Sequence, residues 1–306
     1  MTASEASIGP GAKRRSGTLR NASGGYHRPM KIAEPVASSW KARLELGFAR
    51  DGARSVLAER RHDGPLVVQK ALYPEGDSVC HAIVVHPPGG IAGGDELEIA
   101  ARVGEGAAVL VTTPGAAKWY RSAGPRASQS VALRVDGDLE WLPQEAIVFD
   151  GALADARMRI DLSASARYLG WDLVCLGRTG SGERFARGRY RFGTELRREG
   201  HLLWLERGRL EGGSPLLASP AGLGGRPVFG TLLAATEGVT PELVAACREL
   251  APREGEGAVT RLPGVLAARY LGASSEAARA YFTDLWRILR PALLGRVAEP
   301  PRIWRT

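Results

Sequence analysis

The feature that most constrains this chain is a two-residue hydrophobic period, repeated in short runs and cut by glycine-rich turns. Trp40, Ala42, Leu44, Leu46 and Phe48 alternate with Lys41, Arg43, Glu45 and Gly47, which puts one face of a strand in a core and the other in water. Leu97/Ile99/Ala101/Val103, Val131/Leu133/Val135, Leu139/Trp141, Met158/Ile160/Leu162, Tyr190/Phe192/Thr194/Leu196 and Leu202/Trp204 repeat the pattern. Residues 66–69, 82–85, 108–111 and 147–149 are short apolar runs of the same kind. Between them fall Asp51-Gly52, Asp63-Gly64-Pro65, Gly104-Glu105-Gly106, Asp136-Gly137-Asp138, Glu199-Gly200 and Gly212-Gly213. Turn signals at roughly 8–12-residue spacing predict an all-β body, not βαβ units.

Helices gather near the C-terminus. Residues 241–250 follow Thr240, an N-cap with proline at the first helical position. Ser274 and Ser275 precede 276–290, where Tyr281, Leu285 and Ile288 share a face, and Pro291 is expected to stop the run. Phe282, Trp286 and Leu289 make a second stripe, read as core with a partner helix as the alternative. Residues 258–262 and 265–270 read as strands between the helices. The expected fold is therefore mainly β, with many short strands in a single β-rich scaffold domain (38–306) and a small α-helical C-terminal appendix. No internal repeat is visible.

Charge separates off the N-terminus. Residues 1–37 carry Lys13, Arg14, Arg15, Arg20, Arg28 and Lys31 against Glu5 and Glu34, half of the net charge of +8. The segment is rich in Ser, Gly and Ala and is expected to be a disordered basic tail. Tyr26 is the one Phe, Trp or Tyr among these charges, too few to form a stacking platform for bases, so no nucleic-acid partner is expected. A chain 44% apolar and 24% charged is ordinary globular composition. No apolar run approaches the roughly 18 residues of a membrane span, so no membrane partner is expected. The first thirty residues hold no secretory h-region. Three distant cysteines (Cys80, Cys175, Cys247) give no disulfide framework, and the expectation is a reducing, cytoplasmic location.

Common catalytic signatures are missing. There is no GxxxxGK[ST] phosphate loop and no HExxH, Phe185 occupies a glycine position of a would-be GxGxxG, and Ser181 lacks the spacing of a nucleophile elbow. Cys80, His81 and His86 have metal-ligand chemistry, but neighbours on a strand point to opposite faces, so they are read as structural.

Five segments say more: HPPGGIAGGD at 86–95, TTPGAAKWYRS at 112–122, LEWLPQEAIVFDGA at 139–152, LGRTGSGE at 176–183 and PRIW at 301–304. In this order and spacing they resemble the urease accessory protein UreD (UreH) family, from about residue 38 to the C-terminus. Trp119 and Ala116-Ala117 depart modestly from its usual pattern. The resemblance implies a non-enzymatic, β-rich scaffold that docks on the urease apoprotein. It also implies recruitment of UreF and the GTPase UreG, with nickel insertion into the urease active site, no tightly bound cofactor and only transient handling of Ni²⁺. An internal nickel passage is part of that expectation. Carboxylates and hydroxyls hold nickel more weakly than imidazole or thiolate, as a conduit requires. The candidates are Asp95, Glu140, Glu145, Asp150 and Glu183, with Thr112 and Thr113 as hydroxyl donors.

Each has a structural reading too. Asp95 could cap a turn. Glu140 and Glu145, if buried, need partners such as Lys118, Arg121 or Arg178, and Glu183 sits beside Arg184 and Arg187. Lys118, Tyr120, Arg121, Arg178 and Trp304 are read as partner-binding or structural. The alternative function is a hydrolase or transferase whose site lies in the 112–122 and 177–183 loops.

Overall fold

The computed structural model describes residues 39–305, so the basic tail at 1–37 lies outside the described residues. In chain order the strands are β1 (Lys41–Asp51), β2 (Arg54–Asp63), β3 (Val67–Leu72), β4 (Cys80–Val85), β5 (Glu96–Val103), β6 (Ala108–Thr112), β7 (Ala117–Trp119), β8 (Ala127–Val135) and β9 (Asp138–Leu142). They continue with β10 (Ala146–Val148), β11 (Leu153–Leu162), β12 (Arg167–Leu176), β13 (Arg189–Arg198), β14 (His201–Glu211), β15 (Val228–Ala235), β16 (Glu256–Leu262) and β17 (Val265–Gly272). Helices α1 (Pro215–Ala218), α2 (Pro241–Arg248) and α3 (Ser275–Leu294) complete the set.

Two sheets result. The first runs β14-β13-β11-β8-β5-β1-β2 and the second β16-β17-β15-β12-β9-β6-β4-β3, with β10 and β7 added beside β12. From β4 to β13 the main strands alternate between the sheets. Each strand therefore pairs in parallel with the one laid down a turn earlier: β5 with β8, β8 with β11, β11 with β13, and β4, β6, β9 and β12 likewise. Parallel strands usually need a helical crossover. Here a strand of the opposite sheet serves as the crossover, so the chain winds without βαβ units. The return turns stack on one another. Gly137 approaches the carbonyls of Gly104 and Ala107 so closely that a Cβ would clash with backbone, which explains the glycine in Asp136-Gly137-Asp138.

Alternation decides which core each side chain enters. Leu97, Ile99, Val131, Leu133, Leu139 and Trp141 meet between the sheets. Leu110, Leu142, Trp171 and Leu173 face the other way and pack with Val244, Phe282, Trp286 and Leu289 from α2 and α3. The Phe282–Trp286–Leu289 stripe is thus core, fully buried. The chain forms three layers: sheet, sheet, helices.

The sequence reading needs correction at several elements. Strands β12 and β15 escaped it because the second sheet is covered on both faces, giving continuous apolar runs without alternation. Strand β2, an edge strand full of Arg and Glu and mostly exposed, lacked an apolar face to read. Pro291 does not stop α3. It sits in the last turn, and the helix ends at Gly295, whose φ of 69° is the left-handed conformation of a C-cap. At the other end Ser274 Oγ accepts from Ala277 N at 3.1 Å.

One buried ion-pair set holds α3 to the second sheet. Arg290, fully buried, donates to both Glu140 oxygens at 3.0–3.1 Å and to Glu75 at 2.5 and 2.9 Å. Trp286 Nε1 donates to Glu140 at 2.7 Å, and His81 Nε2 meets Glu75 at 2.6 Å. Burial alone would raise the Glu75 carboxyl, but hydrogen bonds from His81 and Arg290 hold it below its usual range. Removing one partner of such a pair leaves an uncompensated buried charge. Glu140→Gln should cost about 3–5 kcal/mol, read as a shifted midpoint in urea unfolding; a loss below about 1 kcal/mol would refute the anchoring role.

Candidate functional site

A cavity of about 350 Å³ lies between the two sheets, and segments that stand out in the sequence form much of its wall. His86, Gly89 and Gly90 come from the first Gly-Pro segment. Thr113–Lys118 contribute from the second, and Trp141, Pro143, Gln144 and Ala146 from the third. They converge because Ile91 bridges to Trp119, while β7 pairs with β10 at Ala117↔Ala146. Gly90 lies against the Tyr120 ring, which would have to move to admit a Cβ there.

The wall is mostly apolar. Asp172 is its one carboxylate. Trp171 and Leu173 point into the helical core, so strand alternation turns Asp172 toward the space between the sheets. No described Lys or Arg pairs with it. Burial, reinforced by the nearby Glu206 charge, pushes its carboxyl up to about 6. His86 is pushed down by burial, which favours the neutral ring, and His86 Nε2 and Trp141 Nε1 lack hydrogen-bond partners among the described residues. Lys118, exposed, borders the cavity without an ion pair.

The five acids singled out from sequence do not line this cavity. Each is occupied elsewhere. Asp95 is 1% exposed and accepts from Trp40 N at 2.8 Å and Ala92 N at 2.7 Å, the turn-capping arrangement. Glu140 and Glu145 find arginines, but from α3 and not from Lys118, Arg121 or Arg178: Glu140 takes Arg290, and Glu145 accepts from Arg279 at 2.9 Å. The reason is geometric. Glu140, between Leu139 and Trp141, points away from the inter-sheet core and toward the helices. Asp150 accepts from Arg187 Nη2 at 2.6 Å and from the Ala186 and Arg187 amides, with Arg121 at 3.6 Å. Arg187 holds its carboxyl below the usual range. Glu183 pairs with Arg178 at 2.8 Å, which lowers its carboxyl, and accepts from Asp150 N; its partner is Arg178, not Arg184 or Arg187.

The hydroxyls are also engaged. Thr112 Oγ1 donates to Leu142 O at 2.6 Å and accepts from Trp304 Nε1 at 2.8 Å. Thr113 Oγ1 donates to Gly115 O at 3.1 Å and accepts from Gln144 N at 2.9 Å. Trp304 packs between Trp171 and Trp286, with ring centroids at 5.7 and 5.9 Å. Tyr120 sits edge-on to Phe149 at 5.1 Å, and the Arg178 guanidinium lies 4.8 Å from the same ring. Among the described residues no three His, Cys, Asp or Glu side chains converge on a metal position. Cys80 enters the inter-sheet core, whereas its neighbour His81 turns to Glu75.

Sequence reasoning missed Asp172, Glu75, Arg279, Arg290 and the Asp138 set, in which Arg167 and Arg296 share one carboxylate at 2.6 Å. The partners stand up to 215 residues apart in the chain, so no local spacing announces them. Asp172 did leave a signal, a single acid inside the apolar run 168–176.

Because the folded chain keeps a proton on Asp172 that the unfolded chain releases, the contribution of this group falls as pH rises from about 4 through 6. Asp172→Asn should therefore gain stability relative to wild type over that range. The gain is at most about 3 kcal/mol and less where water enters the cavity. Thermal midpoints measured at pH 4.5 and 7.5 check it; parallel pH curves for the two proteins would refute it.

With this geometry in place, the comparisons with known proteins converge. The family described as UreD urease accessory protein matches residues 41–305. A urease accessory protein UreD from Azoarcus sp. (strain BH72) is 55% identical over 281 residues, covering 91% of this chain and 98% of that protein. Its counterpart from Dechloromonas aromatica (strain RCB) is 55% identical over 288 residues, 90% and 99%. The one from Pseudomonas fluorescens (strain Pf0-1) is 56% identical over 279 residues, 89% and 99%. These relatives are named as accessory proteins and not as enzymes, which sets aside the hydrolase or transferase alternative. No helix among the described residues is long and apolar enough to cross a membrane. The chain belongs to the UreD urease accessory protein family.

Proposed function

We propose that this chain is a cytosolic scaffold for urease maturation. It docks on the urease apoprotein, recruits UreF and through it the GTPase UreG, and conducts Ni²⁺ toward the urease active site. The observation that carries the conduction half is the inter-sheet cavity, walled by three of the five distinctive segments and holding Asp172 as its one carboxylate.

A conduit must admit a cation and let it go. One carboxylate in a wall that also carries Thr113, Gln129, Gln144 and Thr194 binds a borderline cation weakly, whereas a cluster of imidazoles or thiolates would retain it. Asp172 meets that requirement better than the five acids proposed from sequence, since arginines or turn amides already occupy all of those. The three cysteines are buried and free, and burial raises the thiols of Cys80, Cys175 and Cys247 away from the thiolate form that would trap nickel. The GTP-hydrolysing step belongs to a partner in this reading, in keeping with a sequence that has no phosphate loop.

The test is co-expression of apo-urease, UreF and UreG with this chain, with its Asp172→Asn variant, or without it. Urease nickel content and urea hydrolysis should fall strongly without the chain. They should fall severalfold with Asp172→Asn, while UreF and apo-urease still co-purify. Normal nickel loading without the chain would end the scaffold reading; normal loading with the variant would end the role of Asp172.

A further inference from the structure

Three loop regions gather at the end of the molecule where β7, β10 and β12 finish. Arg121 pairs with Ala152 in an isolated bridge, the Gly177 amide donates to Val148 O, and Arg187 O accepts from Gly151 N. These contacts bring residues 118–126, 149–152 and 177–188 together. The ionic arrangement there is polarised. Arg121, Arg126, Arg178 and Arg187 have side chains 46–69% exposed, whereas their carboxylate partners Asp150, Asp155 and Glu183 are 10–19% exposed. Acids lie beneath, guanidinium groups above. Lys118 and Arg184 add two exposed cations with no ion pair. Tyr120, 38% exposed, stands among them against Phe149.

From this we infer that the 118–126/149–152/177–188 surface is a docking face for an acidic protein surface. The inference rests on the scaffold reading above and specifies the chemistry of one of its contacts. Each paired arginine is held by the carboxylate under it, so little rotamer freedom remains to be lost on binding. Arg and Tyr are the side chains enriched at protein interfaces and among their energetic centres. A nucleic acid is disfavoured. A phosphate backbone is attracted by unpaired cations spread along a track, and here three carboxylates sit within the patch and the one exposed aromatic is already edge-on to Phe149. Charge complementarity of this kind governs encounter and salt dependence.

The test uses the full chain with purified apo-urease and a purified UreF–UreG complex as separate probes, at 50 and 300 mM NaCl. Arg184→Glu changes a cation that anchors no carboxylate, and Arg121→Gln/Arg184→Glu removes a second. Arg102→Glu, an exposed position near the far end of β5, makes the same charge change away from these loops. At 50 mM salt we expect about a tenfold weaker affinity for one probe with Arg184→Glu. The double variant should lose more, the differences should shrink at 300 mM, and Arg102→Glu should match wild type. Equal thermal midpoints confirm that all variants fold. If wild type binds a probe and both patch variants bind it equally well, the acidic-partner face is wrong while the scaffold reading stands. If wild type binds neither probe, both fall. A short duplex DNA or RNA bound by wild type as tightly as either protein, and lost in the patch variants, would overturn the protein partner in favour of a polyanion.

Discussion

The structure depends on burying the second sheet on both faces. Its strands β4, β6, β9 and β12 pair in parallel, and parallel ladders are found where both faces are covered. The first sheet covers one side. Helices α2 and α3, with the C-terminal Trp304, cover the other. Everything distinctive about the molecule follows from this: two cores instead of one, alternation within a strand that sorts side chains between them, and acids such as Glu140 that end up inside.

Burying those acids requires compensation, and the compensation comes from arginine. Glu140 and Glu75 share Arg290; Asp138 shares Arg167 and Arg296; Asp150 and Glu183 take Arg187 and Arg178. Arginine suits this because its planar fork reaches two carboxylates at once without losing its charge. An arginine-rich composition that marks no site in the sequence thus has a structural use. The same pairing removes most of the conspicuous acids from any role in binding a cation. Asp172 is left as the one carboxylate of the inter-sheet cavity wall.

The fold was legible where one strand face meets water. Strands β1, β5, β8, β11 and β13 announce themselves by alternation, because the first sheet is covered on one face only. Strands β12 and β15 did not, because burial on both faces erases the period. The end of α3 was misplaced because a proline in the last turn lacks only one donor, and the helix tolerates that loss until Gly295 closes it. In the candidate site, the Gly-Pro segments were visible as unusual backbone, and they do form the cavity wall. The acids were visible as residue types, but their partners were not, since an ion pair between positions 140 and 290 is set by how two layers stack.

The sequence by itself determined the local part: strand after strand, the turns between them, the helix starts at Thr240 and Ser274, and the segments that identify the family. These rest on contacts among near neighbours, where residue type and spacing suffice. Tertiary structure alone decided that the strands wind between two sheets and that Glu140 belongs to the helical layer. It also left a cavity between the sheets whose one carboxylate, Asp172, is paired with no described Lys or Arg. Those outcomes depend on which face meets which, a relation between residues far apart in the chain that the local pattern does not encode.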